Sequence, residues 1–280
     1  MRSKLKIIYI YDKYKMCIIC RGDVIEGDYL DISYCDKIRE IPSLYGVKIL
    51  RCNSCASLKK INNIPGLIYL DCSYCTALTE IFPITTLETL KVFYCPMLKY
   101  IPRCLKLQKL CSSHCTIKSI PCLKQLQRLE IILCENINEI PTQYGYPILP
   151  MLEELYCSFS GIKKIPHMEK LTHIISTDCH ALTEIKTGNL NFLDCSYCPM
   201  LINIPNATKL FCLGCPWLSQ NPDNKISQGK KLQRWIKKNF KYFIFRRWIE
   251  SVEGKEFLYH PNHIGGRIEK AKMGKVFEGL

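Results

Sequence analysis

From about residue 24 to residue 222 the apolar positions return at a period that fits neither a long helix nor a long alternating strand. Leu30-Asp-Ile-Ser-Tyr-Cys35 is followed by Leu50-Arg-Cys-Asn-Ser-Cys55, Leu70-Asp-Cys-Ser-Tyr-Cys75 and Leu90-Lys-Val-Phe-Tyr-Cys95. The frame recurs at Leu110, Leu129, Leu155, Ile174, Leu193 and Leu210. The first five anchors are 20 residues apart, and the later gaps are 19, 26, 19, 19 and 17. Self-similarity at a fixed period marks a repeat architecture, here of about ten units. Each unit approximates L-x-x-L-x-C-x-x-C-x-x-L-x-x-I-P, with a leading apolar residue three before the anchor, as at Val47, Leu67, Leu87 and Leu107.

The pattern predicts a short strand around each anchor. Alternate strand residues point to opposite faces, so the anchor and the residue two later (Cys52, Cys72, Val92, Cys157, Cys195, Cys212) face inward. One unit cannot bury its apolar face alone, whereas parallel strands stacked about 4.8 Å apart join many small faces into one core. The later pairs, such as Leu78 with Ile81 and Leu98 with Ile101, close that core from the far side. Pro42, Pro102, Pro121, Pro141, Pro166 and Pro205 then keep the return path extended, since they lack the amide donor a helix needs. The segment Thr142-Gln-Tyr-Gly-Tyr-Pro-Ile-Leu-Pro150 widens one gap by about six residues and is predicted to loop out.

The repeat resembles the leucine-rich repeat in its short form of about 20 residues, L-x-x-L-x-L-x-x-N/C-x-L, over about 70% of the chain. Its Cys-dense version ending in Ile-Pro looks most like repeat proteins of giant amoeba-infecting DNA viruses; bacterial secreted effectors with Leu-Pro pairs are a weaker likeness. The resemblance implies a leucine-rich-repeat solenoid with a curved parallel β-sheet on its concave face and a mostly extended or 3-10 convex side. The expected division is an amino-terminal cap over 1–23, repeats over 24–222 and a basic tail over 223–280. The effector type would add a ubiquitin-ligase domain, for which the residues after the repeats are too few.

Composition adds a puzzle. The 280-residue chain holds 19 cysteines, far above ordinary use. The amino terminus reaches only a five-residue apolar run, Ile7 to Tyr11, too short for a secretory signal, and no stretch of about 18 apolar residues could span a bilayer. A reducing cytoplasm, that of a host cell if the protein is viral, is therefore the expected compartment, where a disulfide framework is disfavoured. Five C-x-x-C pairs occur: Cys17/Cys20, Cys52/Cys55, Cys72/Cys75, Cys195/Cys198 and Cys212/Cys215. The second and third together have a zinc-site spacing, yet their separation is the repeat period itself. The preferred reading is a structural ladder at 35, 55, 75, 95, 115, 134, 179, 198 and 215, where the family has Asn or Cys and a small polar group bonds the backbone as the chain leaves the strand. Zinc stands as the alternative, and no metal or cofactor is expected. Cys17 and Cys20 precede the first clear unit and are read as an irregular cap strand in preference to a redox motif.

The outward columns are the surfaces such solenoids offer to partners. One past the anchor lie Asp31, Arg51, Asp71, Lys91, Tyr156 and Asp194; three past it, Phe93; four past it, Tyr34, Tyr74, Tyr94, Phe159 and Tyr197. Mixed charge with Tyr and Phe suits a protein or peptide ligand better than a phosphate backbone. The plainer alternative is that the tyrosines shield the ladder at the strand ends. No catalytic constellation emerges: His114, His167, His173 and His180 fall at unrelated repeat positions, and no phosphate loop or nucleophile elbow is present.

The net charge of +14 is concentrated. Residues 223–280 hold 14 basic and six acidic side chains, +8 of the total. Within them Lys230, Lys231, Arg234, Lys237, Lys238 and Lys241 oppose Leu232, Trp235, Ile236, Phe240 and Trp248 in an amphipathic helix pattern. This segment is expected either to cap the last repeat helically or to dock on an acidic partner, nucleic acid or anionic membrane. The expectation for the whole is a monomeric, non-enzymatic scaffold that binds an unknown protein or peptide on its concave face; a basic adaptor acting through the tail is the alternative. The register makes one direct demand: Leu90→Ala should lower stability by about 2–5 kcal/mol as a core truncation, read from chemical denaturation. An unchanged midpoint would mean the register is wrong.

Overall fold

The computed structural model describes residues 17–25, 27–143, 146–201 and 204–215. They form a parallel β-solenoid. Ten strands, from β1 (Tyr29–Asp31) at one edge to Ala207–Phe211 at the other, make one parallel sheet whose spatial order follows the chain. Anchor pairs with anchor throughout, as in Leu30 with Leu50, Leu50 with Leu70 and Leu155 with Ile174. The longer gap before Leu155 leaves this register intact, because Leu155 still pairs with Leu129. The extra residues loop out as a small antiparallel pair, Thr142–Gln143 with Tyr146–Pro147.

One turn shows how the pattern fills the core. Leu50, Cys52, Cys55, Leu58, Ile61, Ile64 and Leu67 are all fully buried. After the strand the inward residue recurs every third position, so the chain reverses around a filled centre with no helix. The outer side is extended, as expected, and is locally paired in parallel: Glu40–Ile41 with Lys60–Ile61 and Glu80–Ile81, and Lys164–Ile165 with Glu184–Ile185. No 3-10 helix occurs among the described residues. The corners are instead single hydrogen-bonded turns, such as Leu58 N to Cys55 O at 3.0 Å and Leu67 N to Ile64 O at 3.2 Å. In the shortened turn after Ser160, a Cβ on Gly161 would run into the carbonyl oxygen of Glu135 and the side chain of Asn138, so only glycine fits there.

The cysteine column is a hydrogen-bond ladder between turns. The thiols of Cys55, Cys75, Cys95, Cys115 and Cys134 donate to the carbonyls of Ile32, Cys52, Cys72, Val92 and Ser112 in the preceding turn. Cys179, Cys198 and Cys215 do the same to Cys157, Ser176 and Cys195. The eight S–O distances run from 2.8 to 3.3 Å. Each acceptor is the inward residue directly after a strand, whose carbonyl is buried and must find a donor. A second ladder runs three past the anchor, where Ser33, Asn53 and Ser73 accept from the amides of Asn53, Ser73 and Phe93 in the following turns.

The expected cap strand at Cys17/Cys20 is instead one helical turn, α1 (Ile18–Arg21), closed by Gly22 at φ 76°. Glycine suits that left-handed position because it has no Cβ. The helical cap expected over 223–280 lies outside the described residues. The last anchor, Leu210, is 37% exposed. No helix among the described residues is long and apolar enough to cross a membrane.

Burial holds four of the thiols protonated: it pushes Cys111, Cys134 and Cys212 up to about 11 and raises Cys104 as well. The folded chain then keeps protons that the unfolded chain releases above about pH 8.5–9. This contribution to stability is complete below that pH and is lost as pH rises toward about 11. Denaturation midpoints should therefore fall between about pH 9 and pH 11; a flat profile would show that the thiols are not held neutral.

Candidate functional site

The strands are only three residues long over most of the sheet, and this changes which columns lie on its outward face. One past the anchor, Asp31, Arg51, Asp71 and Lys91 stand in register with alternating sign. The residue before the anchor also faces outward, a column that sequence reasoning missed because it counted outward positions only past the anchor. Tyr29, Tyr69, Arg128, Glu154, His173 and Phe192 belong to it.

Several expected contact residues also serve the fold. Asp31, Asp71 and Asp194 each accept from the amide two residues on, at Ser33, Ser73 and Ser196, which fixes the exit from the strand. Asp71 also accepts from the Ser73 hydroxyl at 2.7 Å. Arg51 is raised above its ordinary value by the neighbouring Tyr29 hydroxyl, against the opposing effect of burial, and further by Tyr69, Asp31 and Asp71. Lys91 Nζ lies 5.7 Å from the centre of the Tyr69 ring. Farther along, Arg128 pairs with Glu154 at 2.8 Å and lies 4.3 Å over the Tyr156 ring, while the Tyr156 hydroxyl donates to Glu154 at 3.1 Å. His173, Phe192 and Phe211 follow as a row of rings 6.4 and 5.5 Å apart.

The column four past the anchor is not strand at all. Tyr34, Ser54, Tyr74, Tyr94, His114, Leu133, Phe159, Asp178 and Tyr197 all have φ between 51° and 64°, and Gly214 completes the column at 69°. This left-handed corner turns each amide toward the next turn, as in Tyr34 N to Asn53 O at 2.7 Å and Tyr74 N to Phe93 O at 2.6 Å. It costs about 1 kcal/mol or more per non-glycine residue. Gly, Asn or Asp would relieve the strain, yet four tyrosines and a phenylalanine stand there. Tyr34, Tyr74 and Tyr94 remain 58%, 56% and 42% exposed, so these rings are not used up in covering the core. Tyr74 and Tyr94 are 6.1 Å apart, and Tyr94 and His114 6.2 Å. Phe159 and Tyr197 are half-buried.

Tyr34, Tyr74, Phe93, Asp71, Ser73 and Asn53 line an open depression of about 350 Å³ at this edge, with Ser54 at its side. Four expected contact residues, Tyr34, Asp71, Tyr74 and Phe93, thus come together, and Tyr94 adjoins them. Tyr156 and Phe159, and Asp194 and Tyr197, belong to later turns of the same sheet and do not line it. Phe93 also breaks the polar ladder three past the anchor: it offers no acceptor to the next turn, and the buried hydroxyl of Ser113 has no hydrogen-bond partner among the described residues. Lys230, Lys231, Arg234, Lys237, Lys238 and Lys241 lie outside the described residues.

The zinc-spaced quartet Cys52, Cys55, Cys72 and Cys75 follows the two inward columns and donates to backbone carbonyls. Among the described residues, three metal-ligating groups converge only at Cys17, Cys20 and Cys35. Sequence reasoning had separated that pair from the ladder.

If the left-handed corner is strained, Ser54→Gly should raise stability by roughly 0.5–1 kcal/mol, and Ser54→Val should lower it by more than that, measured by chemical denaturation. Equal stability of the two variants would refute the strain. Comparison with known protein families, with curated proteins and with solved structures finds no match for this chain.

Proposed function

We propose that the protein is a non-enzymatic, leucine-rich-repeat-type scaffold that binds a protein or peptide at the aromatic edge of its main sheet. The observation that carries this reading is the placement of exposed tyrosines at backbone positions that disfavour them, around one depression. Local choices that oppose the backbone are expected at functional sites, where another requirement outweighs stability. Tyr34, Tyr74, Tyr94 and Phe93 supply large rigid contact area, and Asp71 with Arg51 adds charge of both signs beside it. An occupant of this chemistry is an extended peptide or loop with apolar anchors and a polar rim.

A ladder that depends on protonated, unoxidised thiols suits a reducing cytoplasm. The Cys-dense Ile-Pro repeat supports an origin among giant-virus repeat proteins, with a host cell as the setting. The alternative role, docking through residues 223–280 on an acidic partner, nucleic acid or anionic membrane, rests on the +8 charge concentrated there.

Affinity capture from cytoplasm separates the two. It compares the intact chain, a Tyr34→Ala/Tyr74→Ala/Tyr94→Ala variant and a deletion of 223–280. Loss of aromatic anchors at a binding centre costs about 2 kcal/mol or more each, so the triple variant should lose its partner by at least about a hundredfold while the deletion keeps it. A partner retained by the triple variant and lost with the tail would overturn the reading.

A further inference from the structure

We propose that Cys17, Cys20 and Cys35 form a zinc-binding site at the amino-terminal end of the solenoid. The inference is independent of the sheet-edge reading.

The ladder itself sets this site apart. Every ladder cysteine from Cys55 onward donates its S–H to a carbonyl in the preceding turn. Cys35 opens the column, and among the described residues no earlier repeat precedes it. Its sulfur lies instead 3.7 Å from Cys20 Sγ. Cys20 Sγ is in turn 3.7 Å from Cys17 Sγ, and the three sulfurs all fall within 4.8 Å of one another. Two Zn–S bonds of about 2.3 Å at a tetrahedral angle place their sulfurs about 3.8 Å apart. The two separations of 3.7 Å match that spacing.

The backbone holds the trio from two separate directions, which the quartet of the repeat columns does not achieve. Cys17 is the residue at the start of α1 and Cys20 lies three positions on, so one helical turn carries both to the same side. Gly22 ends that turn and Arg21 pairs with Asp23 at 2.8 Å beyond it. Cys35 comes from the corner that follows β1. Cys17 and Cys35 are buried, whereas Cys20 is partly exposed and marks the side by which an ion enters. Thiolates select thiophilic ions such as zinc over magnesium or calcium. Three ligands leave one tetrahedral vertex for water or an outside ligand. Each thiol gives up its proton on binding, and the ion ties α1 to the first repeat, so metal binding contributes to folding.

The test uses the full chain, produced with zinc and purified without chelator in a reductant that is not a thiol. Metal analysis should give about one zinc per chain, and X-ray absorption should show three sulfur neighbours at about 2.3 Å. Cys17→Ser and Cys20→Ser should each weaken zinc binding by at least about tenfold, the loss that even an outer-shell change produces. Cys122→Ser, a half-buried thiol elsewhere in the repeats, should leave it unchanged. If the serine variants fail to fold, X-ray absorption on the unaltered chain decides alone. Absence of zinc after loading would overturn the proposal. So would wild-type affinity in Cys20→Ser, a coordination sphere with fewer than three sulfurs, or a disulfide joining any two of the three cysteines.

Discussion

Each strand of this solenoid is followed by an inward-facing residue whose carbonyl oxygen is buried, and the stacking of turns depends on giving that oxygen a donor. A leucine from the next turn would fill the space and leave the carbonyl unsatisfied, at a cost of about 1–3 kcal/mol per turn. An asparagine would donate but bring further polar groups that need partners of their own. A thiol does both jobs: it packs as a small hydrophobe and offers one weak donor. The cysteine excess follows from that requirement repeated turn after turn. In the one turn where Ser160 takes the column, its hydroxyl lies 3.7 Å from Cys179 Sγ and keeps the polar character of the site.

The same corner generates the surface. To bring the cysteine inward directly after the strand, the preceding residue must adopt a left-handed conformation, and its side chain is thrown outward at the sheet edge. Nine of the ten stacked corners thus make a column of outward side chains at a spacing set by the strands, where successive rings meet at about 6 Å. Core and edge are two products of one turn. A residue in that column carries the backbone strain of the left-handed corner, which is why an aromatic there points to a requirement beyond folding.

Much of this was legible in the sequence. The anchors, the second inward position, the ladder column and the looped insertion before Leu155 follow from period and alternation alone, since one register must serve every stacked turn. The left-handed corner was not legible: Tyr34, Tyr74 and Tyr94 read as strand positions because their residue type favours strands. The outward column before the anchor was missed because a three-residue strand is centred on its anchor. Cys17, Cys20 and Cys35 could not be joined from spacing, since their meeting depends on how α1 packs on the first repeat and no period links it to that repeat.

The central claim, that the column cysteines are donors locked inside the stack, is tested most directly by native-state thiol labelling resolved by mass spectrometry. Cys55, Cys75, Cys95, Cys134, Cys179 and Cys198 should be alkylated together, at the rate of global unfolding, and the part-exposed Cys20, Cys122 and Cys212 should react ahead of them in metal-free protein. Rapid, independent labelling of the column cysteines in the folded chain would contradict the account.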